Sequence, residues 1–204
     1  MRPACTMKIP RISVPHGYHY WTNTLVNETV KEYFETNHRL PDFTNRGKYS
    51  FYVVQTNNIR DYYLAHNMPV KKLRVLGSAR FVKEWRDINQ TICPQKSIPT
   101  TLDFIFNVVL FIPDWTYFID RQATISLILA LKLIPGVRLL VKQNTRGTGV
   151  LTQEDLGKSS HSEHQLQILG DEFHSPDLIS KAHCVVNFAS SIGLEAIAQR
   201  KVVC

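Results

Sequence analysis

Short, almost wholly apolar runs alternating with helical segments constrain this chain more than any other feature. Val108–Ile112 is such a run, and Asp120 stands as a capping residue before the long apolar segment Arg121–Ile134. Pro135-Gly136 closes that segment, and Val137–Lys142 follows as the next run. A loop rich in Gly, Ser and Thr leads from Gln143 to Glu163. Beyond it come the short strand Leu166–Leu169, a helix capped by Ser175-Pro176-Asp177, and the run His183–Phe188. A strand with one wet face alternates apolar and polar residues. Strands without that alternation are covered on both faces, as in a parallel sheet between layers of helix. The expected class is α/β with parallel sheets.

The first half carries similar elements less regularly. Ile12-Ser13-Val14 reads as a strand entering the turn Pro15-His16-Gly17, and Asn27–Asn37 has weak helical character. Arg39–Lys48 is a polar connection, and Tyr49–Gln55 is a strand. Asn57 or Asn58 caps a helix to Asn67 that Pro69 stops. Leu73–Leu76 resumes as a strand ending at Gly77-Ser78, before a short helix over Phe81–Trp85. Asp87–Thr101 is polar and holds two prolines, the best linker in the chain. The expected organisation is residues 1–86, a linker over 87–105, and a second domain over 106–204. The closing Lys201-Val202-Val203-Cys204 reads as the start of another strand, so an internal fragment is expected.

At 204 residues and 44% hydrophobic the chain can bury a real core, and its net charge of +7 favours an anionic partner. The four cysteines (5, 93, 184 and 204) show no metal-ligand pairing and read as reduced thiols. Met1–Gly17 lacks a signal peptide's apolar segment, and Ile125–Val137 is broken by Lys132 and Pro135 and too short to span a bilayer. A cytoplasmic protein is expected, at most peripheral at the inner membrane face.

The segment Ser190-Ser191-Ile-Gly193-Leu-Glu195 opens a helix directly after a strand. Its hydroxyls and amides suit a phosphate, and Glu195 suits ribose hydroxyls; an ordinary capped helix fits the same residues. Neither GxxxxGK[ST] nor GxGxxG is present, which disfavours ATP hydrolysis and NAD binding. His16, beside Gly17, is a general base or a loop histidine bonded to backbone. Lys142 and Arg146 face a diphosphate or simply solvent. Gly77-Ser78-Ala79-Arg80 is a structural turn with a basic residue. His174 and His183 read as surface or packing residues, and His161-Ser-Glu-His164 lacks metal-ligand spacing, so no metal is expected.

Taken in order, these pieces resemble the GT-B class of bacterial surface-polysaccharide glycosyltransferases, including CDP-glycerol glycerophosphotransferases and capsule enzymes. The resemblance rests on His16-Gly17, Gly77-Ser-Ala-Arg80, Phe111-Ile-Pro-Asp-Trp115, Val141-Lys142-Gln143-Asn144-Thr145-Arg146 and Ser190-Ser191-Ile-Gly-Leu-Glu195. Only the last is fairly specific, and Asn144-Thr145 stands where the relatives carry His-Pro. The resemblance implies two Rossmann-like domains and a metal-independent transferase without a cofactor. Its substrate would be a UDP- or CDP-linked sugar or polyol, and its acceptor a glycan or lipid-linked chain, not nucleic acid. Ser190, Ser191, Gly193 and Glu195 would hold the donor with Lys142 and Arg146; His16 would be the acceptor-side base, with Gly17 and Arg80 in supporting turns. Non-hydrolysing UDP-sugar 2-epimerases share the architecture and are the alternative reading. An inactive fragment acting as a basic binding module is a third.

Overall fold

In the computed structural model the chain divides into two compact units, Met1–Val82 and Lys83–Cys204. The structure describes residues 7, 9–15, 32, 35–36, 48–92, 106–113, 115, 119–144, 151–152, 154–156, 165–188 and 190–204.

The first unit holds a three-stranded parallel sheet in the order β1-β2-β3, with β1 at Ile12–Ser13, β2 at Phe51–Val54 and β3 at Leu73–Val75. Helix α1, Asn57–Ala65, packs Ile59 and Tyr63 against Val54, Leu73 and Met68. The sequence reading put its cap at Asn57 or Asn58. The cap is Thr56, whose Oγ1 accepts the Ile59 amide at 3.3 Å, because Thr56 is the last residue in extended backbone. The helix stops at Ala65, and Asn67 turns the chain with a φ of 66°.

The second unit begins with helix α2, Lys83–Ile92. Residues 87–92 of the expected linker are therefore helical. Their polarity belongs to a solvated helix face, and Pro94 and Pro99 stand in the sequence beyond Ile92, the last described residue of the helix. A five-stranded parallel sheet follows, built from β4 (Phe106–Ile112), β5 (Val137–Gln143), β6 (Leu166–Leu169), β7 (Cys184–Asn187) and β8 (Val202–Val203). Their spatial order is β6-β5-β4-β7-β8. The chain thus builds outward from β4 to β6, then returns to the other side of β4 for β7 and β8.

Helix α3 (Arg121–Lys132) covers one face of this sheet, and the short helices α4 (Ser175–Lys181) and α5 (Ile192–Ala198) cover the other. Alternate residues of β4 feed the two layers. Val108, Leu110 and Ile112 pack with Ile125 and Ile128 of α3, while Val109 and Phe111 pack with Leu178, Ile179 and Ala196. Asp120 caps α3 as read, accepting the Ala123 amide at 2.9 Å. Helix α4 has a different cap from the one read. Its N-cap residue is His174, without a side-chain capping bond, and Asp177 is spent on Lys181 at 2.7 Å. The Gly/Ser/Thr-rich loop is not all surface: Leu151 and Leu156 enter the α3 layer, and the Gln143 carboxamide binds both backbone groups of Leu151.

Candidate functional site

The order β6-β5-β4-β7-β8 contains a reversal between β4 and β7, where successive connections leave toward opposite edges. At such a point the loops part and open a crevice at the carboxyl ends of the strands. The register makes those ends nearly level, since Ile112 pairs with Gln143, Lys142 with Leu169 and Phe111 with Asn187. A cavity of about 510 Å³ lies there, and its lining includes Pro113, Lys142, Asn144, Phe173, His174 and Ser190.

Lys142 is one residue short of the end of β5 and only 8% exposed. Its Nζ donates to the Gly170 carbonyl at 2.6 Å and approaches Asp171 Oδ1 at 3.5 Å. Asp171 itself is largely exposed, so this long ion pair holds the ammonium weakly. The main-chain carbonyl is the stronger anchor. An ammonium carries three hydrogens, so the anchored group has capacity for an anion in the cavity.

Ser190 lies half-buried at the cavity edge. Its amide donates to Asn187 Oδ1 at 3.2 Å, and its Oγ accepts weakly from the Ile192 amide at 3.4 Å. The Asn187 side chain therefore folds back from the end of β7 and sets the turn that presents Ser190. Ser191 is the N-cap residue of α5, in helical backbone and without a side-chain capping bond. Gly193 is buried behind the turn: a Cβ there would stand 2.6 Å from Asn187 Nδ2. Its smallness serves the close approach of α5 to β7. Glu195 is half-buried in the first turn of α5.

Of the residues read from the sequence, the fold thus brings Lys142 and Ser190 into one cavity, with Ser191, Gly193 and Glu195 next along α5. Arg80 belongs to the first unit, in a 3₁₀ turn whose Ser78 Oγ accepts its amide at 3.4 Å. His16, Gly17 and Arg146 lie outside the described residues. His174, read as a surface or packing residue, is part of the lining. So are Asp171, Phe173 and Ser175, which carry no local signal because only the strand order makes their loop a neighbour of Ser190. Asn144, noted in the sequence as a departure from a motif, faces the same cavity and anchors its backbone amide on Ile112 at 2.9 Å. Among the described residues no group of three or more His, Cys, Asp or Glu side chains could hold a metal ion, and no helix is long and apolar enough to cross a membrane.

The fold is α/β with parallel sheets, of the GT-B-like kind. Among solved structures the chain is similar to UDP-N-acetylglucosamine 2-epimerase from Rickettsia bellii, with a TM-score of 0.57 at 13% identity over 98% of this chain and 50% of that one. It is similar also to UDP-GlcNAc 2-epimerase from Neisseria meningitidis bound to UDP-GlcNAc, with a TM-score of 0.58 at 16% identity over 99% of this chain and 54% of that one. A variant of the wall teichoic acid polymerase TagF aligns with a TM-score of 0.50 at 13% identity, over 94% and 48% of the two chains. This chain therefore spans about half the length of these proteins. No family model matches it, and no curated protein matches it in sequence.

Proposed function

We propose that the cavity holds the nucleotide part of an activated donor, and that the chain serves a transferase moving a glycosyl or polyol-phosphate group onto a glycan acceptor. One observation carries this reading: an open cavity at the reversal of a doubly wound sheet, with a carbonyl-anchored lysine and a serine turn in its lining. The likeness in fold to a protein solved with UDP-GlcNAc supports a nucleotide-activated donor.

In this reading Lys142 meets the diphosphate, Ser190 and Ser191 bind its oxygens, and Glu195 accepts from ribose hydroxyls. Arg146 adds a second cation, and His16 takes the proton of the acceptor hydroxyl. Transfer breaks the bond between the donor group and a diphosphate oxygen, so negative charge grows on the leaving group. Fixed cations there stabilise the transition state more than the ground state. Asn144 contributes a neutral amide where the resembling enzymes carry histidine, so donor binding depends less on pH. The acceptor is a glycan or lipid-linked chain, met at a membrane surface.

Calorimetric titration of the chain with UDP and CDP tests the reading. Ser190→Ala and Glu195→Ala each weaken binding by about tenfold, as expected for one lost hydrogen bond to a charged or buried partner. Binding unaltered in both variants overturns the site. Incubation with UDP-GlcNAc and no acceptor separates the two enzyme readings, because conversion to the C2 epimer would assign an epimerase instead.

A further inference from the structure

A second cavity, of about 410 Å³, lies at the opposite end of the five-stranded sheet, and nothing in the donor reading uses it. Its walls are the start of α2 and the C-terminal ends of α4 and α5, just before β7 and β8 begin. Among the described residues, Lys83, Arg86, Arg200 and Lys201 line it, with Asp87 as the one carboxylate. Two of the cations are fixed by main-chain carbonyls: Arg86 Nη1 donates to Ala198 at 2.5 Å and Lys201 Nζ to Ser180 at 2.6 Å. Lys83 is held by Asp87 at 2.5 Å. The group is preorganised and net positive.

Arg200 is the telling residue. The Lys201 amide bonds to the Ala196 carbonyl at 3.0 Å and the Arg200 amide to Ile197 at 2.8 Å, which closes α5 in the double-bonded C-terminal motif. That motif needs a left-handed residue, and Arg200 supplies it with a φ of 59°. Glycine fills such a position without strain; an arginine does not. A cation at a helix C-terminus offsets part of the strain, yet more cations gather here than two helix ends use.

We propose that this cavity is an anion site for a phosphate monoester or diphosphate group, either a free small phosphate or a lipid headgroup. The charge favours a multiply charged anion, and Arg200 gives it a planar pair of donors. This inference is independent of the donor site.

Pyrophosphate is the probe, measured by calorimetric titration of the whole chain carrying Ser190→Ala, which weakens diphosphate binding at the donor cavity, with Arg200→Gly added as the decisive variant. Glycine relieves the left-handed backbone, so the variant keeps or raises its melting temperature while pyrophosphate binding falls about tenfold. Lys83→Gln, added to the same Ser190→Ala background, weakens binding in the same direction. Flotation with phosphatidylcholine vesicles carrying phosphatidic acid identifies a headgroup as the natural source if Arg200→Gly abolishes it. Pyrophosphate binding without flotation identifies a free phosphate. Binding that survives Arg200→Gly, or no binding of either probe, overturns the proposal.

Discussion

Cys184 begins β7 and Cys204 stands just past the neighbouring strand β8, their sulfurs 3.9 Å apart, but their surroundings differ. Cys184 packs against the α3 layer, whereas Cys204 is exposed. Loss of water around Cys184, reinforced by the Cys204 thiol, pushes its pKa up to about 11. Only about one thousandth of it is thiolate at pH 8, and the thiolate is the nucleophile. Peptide mapping after brief iodoacetamide treatment at pH 8 is therefore expected to find Cys204 modified and Cys184 intact. Equal labelling of the two would show that Cys184 is not shielded as described. Lys142 illustrates the complementary case, a buried cation kept in place by a single well-placed carbonyl. In both, the residue type was plain in the sequence while its chemistry came from neighbours far along the chain.

At the scale of elements, the junction of β7 with α5 couples a structural contact to the candidate site. Gly193 lets α5 approach Asn187, and Asn187 in turn holds the Ser190 amide. Gly193→Ala gains up to about 1 kcal/mol of helix propensity. Against this, the Asn187 carboxamide must move and release Ser190, which costs about 1 kcal/mol. The two nearly cancel in the native background. Once Asn187 is alanine the clash is gone, so Gly193→Ala should then stabilise by about 1 kcal/mol. A double-mutant cycle by urea unfolding measures this coupling, and additive effects would refute the contact. Helix α2 teaches a different lesson at this scale. Its polar residues read as a linker because a solvated helix face and a polar connection share a composition, and only packing separates them.

At the scale of the whole molecule, the chain carries a formal charge of +7, and its acid tolerance depends on carboxylates that offset it. The bond from Lys83 holds the Asp87 carboxyl below its usual range, and the Thr152 amide does the same for Asp155, helped by Arg121. A carboxylate with a depressed folded pKa stabilises above its unfolded value and loses that contribution as pH falls through the folded one. Melting temperature should therefore fall as pH drops below about 4, the unfolded range, and less steeply in the Asp87→Asn, Asp155→Asn double variant. An unchanged slope would remove these two groups from the account. The elements themselves were legible in the sequence because burial on both faces, the Asp120 cap and the Pro135-Gly136 stop are local signals. So was the turn at Ser190. The strand order was not legible, since parallel strands of similar composition can be stacked in more than one sequence. That order, set by how the two apolar faces of β4 are covered, is what brought Lys142, Asn144, His174 and Ser190 around one cavity. It also gathered Lys83, Arg86 and Arg200 at the other end of the sheet. Local chemistry decided which pieces form; long-range packing decided which of them meet.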